Sequence, residues 1–427
     1  MSIALLFGLF FALLIIGAPI AIALGASTFI TLVTTTSTSP VEIAGMIFEK
    51  LDSYSLMAIP MFILAGNLLS KGSSAKRIID FAKSLVGHLP GGLPMAAIFA
   101  SIIFAAVSGS SPATVVAIGS IMFGAIESAG YPKKYAIGTV ATAGSLGILI
   151  PPSIVLIVYG VTAEVSIGKL FIAGIIPGIM IGLMMMLVTY IGAIRLGFKK
   201  TKPEPWSVRF KKMKDTSWAL MTIDIVIGGI YGGIFTPTEA AAVAAVWAFF
   251  VSMFIYKDIK WSELYPTFLD AAKTSAMIMF IIANAMLFAH FLTLENVPHK
   301  IAQFLIDANV GPVLFLLFVN ILLFFAGDFM EPSAIIMIMV PLLLPVAKAL
   351  GIDPIHFGIV VAINMELGMI TPPVGLNLFV TSGITGVSLK DVIIYSLPWA
   401  AAILLGLIIV TYIPQISLWL PNTIYGS

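Results

Sequence analysis

The sequence predicts an all-α polytopic membrane protein of two structural repeats, inverted with respect to each other, each holding a re-entrant helical hairpin and a broken transmembrane helix. Three observations predict it. Hydrophobic residues make up 60% of the 427 and charged residues 10%, with a mean hydropathy of +1.10, and apolar runs of about 20 residues, enough to cross a bilayer, recur from end to end. The segment LGILIPPS from Leu146 returns as LGMITPPV from Leu367, 221 residues later, each a Pro-Pro step inside an apolar stretch. Around these steps Leu51-Asp52 aligns with Leu269-Asp270, Gly91 with Gly311, Ser111-Pro112 with Glu331-Pro332 and Pro177 with Pro398, at offsets between 218 and 221. Broken backbone survives in hydrocarbon only where it lines a protected cavity, since each unpaired N–H or C=O there costs several kcal/mol. Matching breaks in two halves are the pattern of a secondary transporter's binding site.

In chain order, the first half reads as spans near 3–33, 54–70, 93–108, 112–129, 134–162 and 169–196. The stretch Ile3 to Val33 lacks a basic leader and is too long for the apolar part of a signal peptide, so it is expected to stay in the mature protein. The second half reads as spans near 217–235, 238–256, 275–294, 312–328, 332–350, 355–382 and 390–414. Ser74 to His88, Asp258 to Lys273 and Asn296 to Asn309 alternate charged and apolar residues at helical spacing, the pattern of amphipathic helices along the membrane interface. Eight of the 22 Lys and Arg residues (Arg195, Lys199, Lys200, Lys202, Arg209, Lys211, Lys212 and Lys214) fall in one segment with Pro203 and Pro205. The positive-inside rule places it in the cytoplasm, where it also touches anionic lipid. It divides the chain into a first half, 1–194, a basic linker, 195–215, and a second half, 216–427.

Each half carries a second irregular element before its Pro-Pro step: SGSSPAT from Ser108 in the first and GDFMEPSA from Gly327 in the second. Each lies between two apolar arms, so both read as polar tips of re-entrant hairpins. At such a tip the first arm ends in free carbonyls, which favour a cation, and the second begins with free N–H groups, which favour an anion. Pro112 and Pro332 fit the first turn of the second arm, where the missing N–H had no partner anyway. Other chemistries find little support. There is no phosphate-binding G-x-x-x-x-G-K-[ST] loop for ATP and no cysteine, and the four histidines are too scattered for a transition-metal cluster. A net charge of +2 gives no footprint for nucleic acid.

Taken together, GAPIAIALG at Gly17, IPMFILAGNLL at Ile59, the SGSSPAT tip, GSLGILIPPS at Gly144, GIFTPTEAAAVAA at Gly233, the GDFMEPSA tip and LGMITPPVGLN at Leu367 resemble the large membrane subunit of tripartite ATP-independent periplasmic (TRAP) transporters over essentially the whole chain. The resemblance implies a sodium-driven importer of an organic acid, a carboxylate such as sialic acid or a C4-dicarboxylate, in the bacterial inner membrane. It implies a soluble periplasmic binding protein that delivers the substrate, a small four-helix membrane subunit, and a transport domain that slides elevator-fashion against a scaffold.

Sodium prefers oxygen ligands, and two or more ions are expected because each repeat supplies a tip and a break. The sodium candidates are Ser108, Gly109, Ser110, Ser111, Thr114, Gly144 and Ser145 in the first half, and Gly327, Asp328, Ser333, Asn364, Glu366, Gly368 and Thr371 in the second. The substrate candidates are Ser111, Pro112, Ala113, Pro151, Pro152, Glu331, Pro332, Pro372, Pro373, Gly375 and Asn377. Asp328 and Glu366 read equally as helix caps or internal supports. No Lys or Arg lies in a tip or break, so helix N-termini and co-bound sodium would neutralise the substrate. Two alternatives stand beside this reading. One is a self-sufficient sodium-driven divalent-anion symporter working as a homodimer on the same plan. The other is an intramembrane protease using Asp224 and Asp328, whose flanking residues match its motif poorly.

Overall fold

The computed structural model describes residues 2–308 and 310–426. Asn309, the last residue of the expected 296–309 amphipathic segment, and the chain ends Met1 and Ser427 lie outside the described residues. The described residues form helices and no strand, and seven helices are long and apolar enough to cross a membrane.

The first half comprises α1 (Ser2–Ile15), α2 (Ile20–Thr35), α3 (Pro40–Leu51), α4 (Ala58–Lys71), α5 (Ser74–Val86), α6 (Gly92–Ser108), α7 (Ser111–Ser128), α8 (Lys133–Ala143), α9 (Ile154–Thr162) and α10 (Ile167–Arg195). The second comprises α11 (Trp206–Ile223), the single turn α12 (Gly229–Tyr231), α13 (Pro237–Phe250), α14 (Trp261–Leu294), α15 (Val297–Asp307), α16 (Pro312–Gly327), α17 (Pro332–Ala349), α18 (Pro354–Gly368), α19 (Leu376–Thr385), α20 (Leu389–Tyr412) and α21 (Gln415–Tyr425).

Three expectations about elements are corrected. The stretch read as one span from Ile3 to Val33 is two helices, because Gly17 adopts a left-handed φ of +84° and Pro19 starts α2 in an extended conformation. The amphipathic segment 258–273 and the span 275–294 are largely one helix, α14, of 34 residues, about 51 Å at 1.5 Å per residue. Pro266, in its second turn, leaves the helix unbroken although it removes one i→i−4 hydrogen bond. From Trp206 onward, the segment read as a linker is already α11.

Hydrogen bonds between elements fix the relative direction of the repeats. At the end carrying the basic segment, Thr201 N–H donates to the His88 carbonyl at 2.9 Å. At that same end Tyr135 at the start of α8 donates to the Thr189 carbonyl of α10, and Trp399 Nε1 of α20 donates to Thr189 Oγ1 at 2.8 Å. At the opposite end Tyr159 of α9 donates to the Pro354 carbonyl at 2.6 Å, and Tyr412 of α20 meets the Val313 carbonyl at 3.5 Å. The hairpin α6–α7 therefore enters from the basic end and α16–α17 from the other, which is the expected inversion.

A second group of helices packs beside the hairpins. There α4 lies against α13 and α14, tied by Thr238 Oγ1 to the Tyr54 carbonyl and Ser252 Oγ to the Leu68 carbonyl, both at 3.1 Å. Its exposed end carries the Lys71–Asp270 ion pair at 3.1 Å. Capping boxes, Ser39 with Glu42 on α3 and Thr236 with Glu239 on α13, close N–H groups that would otherwise lack partners. These helices form one group, and α6–α10 with α16–α20 carry the tips and breaks.

Candidate functional site

The first tip is the reversal between α6 and α7. Gly109 ends α6 with φ +61°, and a β-carbon there would lie 2.8 Å from the Pro152 carbonyl oxygen, so the chain can make this turn only with glycine. Its own carbonyl accepts from Ile154 N–H at 3.4 Å, which joins the tip to the first break. Ser108 Oγ and Thr114 Oγ1 lie 2.9 Å apart, and Thr114 also donates to the Ser110 carbonyl at 2.8 Å. Ser111 Oγ donates to the Gly144 carbonyl at 3.0 Å, where α8 gives way to a short 3-10 turn.

The second tip is the reversal between α16 and α17. Gly327 and Gly368 put backbone against backbone, since a β-carbon on Gly368 would lie 2.7 Å from the Gly327 Cα. The Asp328 carbonyl accepts from Val374 N–H at 3.0 Å, and Thr371 donates to the Leu367 carbonyl. Both Pro-Pro bonds, 151–152 and 372–373, are cis. The two breaks differ in access: Pro151 and Pro152 are buried, whereas Pro372 and Pro373 are exposed.

Side chains join one repeat to the other. Asn377 Nδ2 at the start of α19 donates to Ser111 Oγ of the first tip at 2.7 Å. Ser145 Oγ of the first break lies 3.2 Å from Glu366 Oε1 of α18, and also donates to the Thr142 carbonyl at 2.6 Å. The first tip and the first break thus both touch the second broken helix, and the second tip packs on that same helix. Ser108, Gly109, Ser111, Thr114, Gly144, Ser145, Glu366 and Asn377 come together through these contacts, and Gly327, Asp328, Gly368 and Thr371 form the adjoining second tip and break.

Glu331 does something other than face a ligand. Its carboxylate accepts from Ser333 N–H at 2.9 Å and Ala334 N–H at 3.2 Å, and Ser333 Oγ donates to it at 2.9 Å. It is the N-cap of α17, so the expected anion-favouring N-terminus of the second tip is already occupied by a carboxylate of the protein, and Ser333 is engaged with it. At α9 the side chain of Ser153 caps Leu156 N–H, and at α19 Asn377 N–H is taken by the Met369 carbonyl at 2.9 Å. The N-terminus of α7, with Ser111, Pro112 and Ala113 in its first turn, has no side-chain cap.

Five buried oxygen atoms along the second tip and broken helix have no hydrogen-bond partner: Asp328 Oδ1, Asn364 Oδ1, Glu366 Oε2, Asn377 Oδ1 and Thr381 Oγ1. An unsatisfied buried polar group costs about 1–3 kcal/mol. Asp328 and Glu366 also have no cationic partner among the described residues, whose ion pairs are Lys71–Asp270 and Lys212–Glu204. A hard, oxygen-seeking cation is the ligand whose chemistry fits such atoms.

Comparison with known proteins decides the family. Residues 7–416 match the family described as "Tripartite ATP-independent periplasmic transporter, DctM component". The chain belongs to the TRAP transporter large permeases. The permease is 51% identical over 94% of each chain to the C4-dicarboxylate TRAP transporter large permease protein DctM of Pseudomonas aeruginosa. It is 47% identical, over 100% of this chain and 99% of the other, to the protein of the same name in Vibrio cholerae. An isethionate TRAP transporter permease protein, DctMQ of Oleidesulfovibrio alaskensis, is 41% identical over 97% of this chain and 65% of its own length. The YdaH transporter of Alcanivorax borkumensis, a solved structure, shares the fold, with a TM-score of 0.61 and 16% identity over 88% of this chain and 86% of that one. The permease is thus a multi-pass membrane component of a TRAP transporter, not an enzyme. Accordingly, Asp224 is exposed beside α11, whereas Asp328 is buried at a tip, so the two aspartates do not form a catalytic pair.

Sequence reasoning missed Asn320 in the permease. Asn320 Oδ1 accepts from Asn364 Nδ2 at 2.8 Å, and its Nδ2 donates to Thr411 Oγ1 at 3.1 Å. The signal was present, since Asn320 is the one polar side chain inside the apolar arm PVLFLLFVNILLFFAG. Thr381 gave no comparable sign, standing in α19 as one of several hydroxyl residues.

Proposed function

We propose that the permease imports a small organic dianion of the C4-dicarboxylate class across the bacterial inner membrane, coupled to the entry of two or more sodium ions. The observation that carries this reading is the contact of the first tip and first break with the second broken helix, along which buried acceptor atoms of the second half lack donors. Asn364, Thr371, Asp328 and the carbonyls around Gly327 and Gly368 hold one ion; Ser108, Ser111, Thr114, Ser145 and the carbonyls of the first break hold the other. One carboxylate of the substrate lies at the N-terminus of α7, which unlike that of α17 is not closed by a carboxylate of the protein. Bound sodium supplies the remaining neutralisation, so substrate affinity depends on the ion. The dicarboxylate class rests on the names of relatives at 47–51% identity.

A soluble periplasmic binding protein delivers the substrate, and a small four-helix membrane subunit completes the complex, a role that the DctMQ name of the longer relative supports. The tip-bearing domain then slides against the scaffold. The test is uptake of radiolabelled succinate into proteoliposomes holding the permease and small subunit, with binding protein outside. An inward sodium gradient drives accumulation and a proton gradient in sodium-free buffer does not. Equal uptake under both gradients refutes sodium coupling, and full uptake by the permease alone favours the self-sufficient symporter.

A further inference from the structure

We propose that a cleft between α8, α10 and α20 is a binding site for one anionic phospholipid of the leaflet next to the basic segment. The cleft has a volume of about 670 Å³, within the range of small-molecule sites, roughly 300–1,000 Å³, and it is open enough to seat a head group and the upper part of the acyl chains. Its wall is apolar: Ile191 and Ile394 stand 41% and 48% exposed along it, with Pro398 between turns of α20. The aromatic floor turns its polar atoms inward. Tyr135 donates to the Thr189 carbonyl, Trp399 Nε1 donates to Thr189 Oγ1 at 2.8 Å, and the two rings meet edge to face at 5.3 Å. The cleft therefore meets mainly carbon.

Its charged residues are all of one sign. Lys134, near the start of α8, and Arg195, the last residue of α10, line the cleft together, and no Asp or Glu lines it. Neither forms an ion pair among the described residues. Both belong to the end with the basic segment, which the positive-inside rule places against the cytoplasmic leaflet. A free anion would satisfy the two cations and leave the apolar wall bare, and a zwitterionic lipid would cover the wall and bring an ammonium to the cations. An anionic phospholipid matches both, and basic pockets between transmembrane helices on this side of a membrane suit such head groups. The lipid would brace α8, which leads into the first break, against α20.

The test uses the full chain in nanodiscs, with brominated phosphatidylglycerol or brominated phosphatidylcholine as quencher of tryptophan fluorescence. In the unaltered protein phosphatidylglycerol reaches half-maximal quenching at a mole fraction at least fivefold lower than phosphatidylcholine. Trp399→Phe removes the component quenched at low mole fraction. Lys134→Gln with Arg195→Gln brings phosphatidylglycerol to the phosphatidylcholine curve and leaves the latter unchanged, and each single substitution, which serves if the double variant fails to insert, costs at least twofold. Equal quenching by both lipids, a preference that survives removal of the two charges, or displacement of the lipid by millimolar inorganic phosphate would overturn the proposal.

Discussion

Asn364 uses its amide group on Asn320 Oδ1 at 2.8 Å and on the Val360 carbonyl at 2.9 Å, which leaves its own Oδ1 as a buried acceptor. Turning the amide over would set Asn364 Oδ1 against the oxygens of Asn320 and Val360, an acceptor against two acceptors. Asn320 is itself oriented by its bond to Thr411 Oγ1. If Asn364 serves sodium as proposed, Asn320→Leu should raise the sodium concentration for half-maximal uptake about tenfold, equivalent to about 1.4 kcal/mol. Uptake rate at saturating sodium should be nearly unchanged, and Asn320→Asp, which still accepts from Asn364, should stay closer to the unaltered protein. A sodium titration of uptake checks this, and an unchanged curve for Asn320→Leu would separate Asn320 from the ion. At this scale the sequence was partly legible. Polar residues at tips and breaks stand out against apolar neighbours, as Ser108, Ser111, Asn364 and Asn377 did. Their partners across the fold do not, because the contact from Asn377 to Ser111 joins residues 266 apart in the chain.

The two second arms of the hairpins start differently: α17 is capped by the carboxylate of Glu331 and α7 by no side chain. Loss of an N-cap typically costs about 1 kcal/mol. Glu331→Ala should therefore lower stability by about that amount, read as an earlier thermal transition, while substrate affinity at saturating sodium stays within about twofold. A tenfold loss of substrate affinity with an unshifted transition would return Glu331 to the substrate's surroundings. The sequence aligned Glu331-Pro332 with Ser111-Pro112 and so suggested like roles. It had no means of showing that a glutamate reaches its own helix N-terminus where a serine does not. The breaks were legible because each half carries two adjacent prolines in an apolar run, whereas the single prolines Pro177, Pro341, Pro345 and Pro398 stay inside α10, α17 and α20. The continuity of α14 was not, because a change from amphipathic to apolar character looks like a boundary although the backbone runs on.

In the proposed sliding motion the helices around α4, α13 and α14 are the scaffold, and they share with the tip-bearing helices a cleft lined by Met286 of α14 and Met337 of α17. The chain contains no cysteine, so Met286→Cys with Met337→Cys, bridged by a reducible cross-linker, reports on sliding without background. Uptake should fall at least tenfold on bridging and return on reduction, because a tether across the cleft holds one end of the excursion. Undiminished uptake with complete cross-linking would rule out relative motion at that place. On the proposed function, cation and anion bind beside each other where the first tip meets the second broken helix. Ala113→Cys, in the uncapped first turn of α7 and partly exposed, tests it most directly. In the complete complex, the rate at which a fluorescent maleimide labels this single cysteine should fall several-fold when sodium and dicarboxylate are present together, and little with either alone. Equal protection by dicarboxylate in potassium and in sodium would mean that the anion binds without the ion.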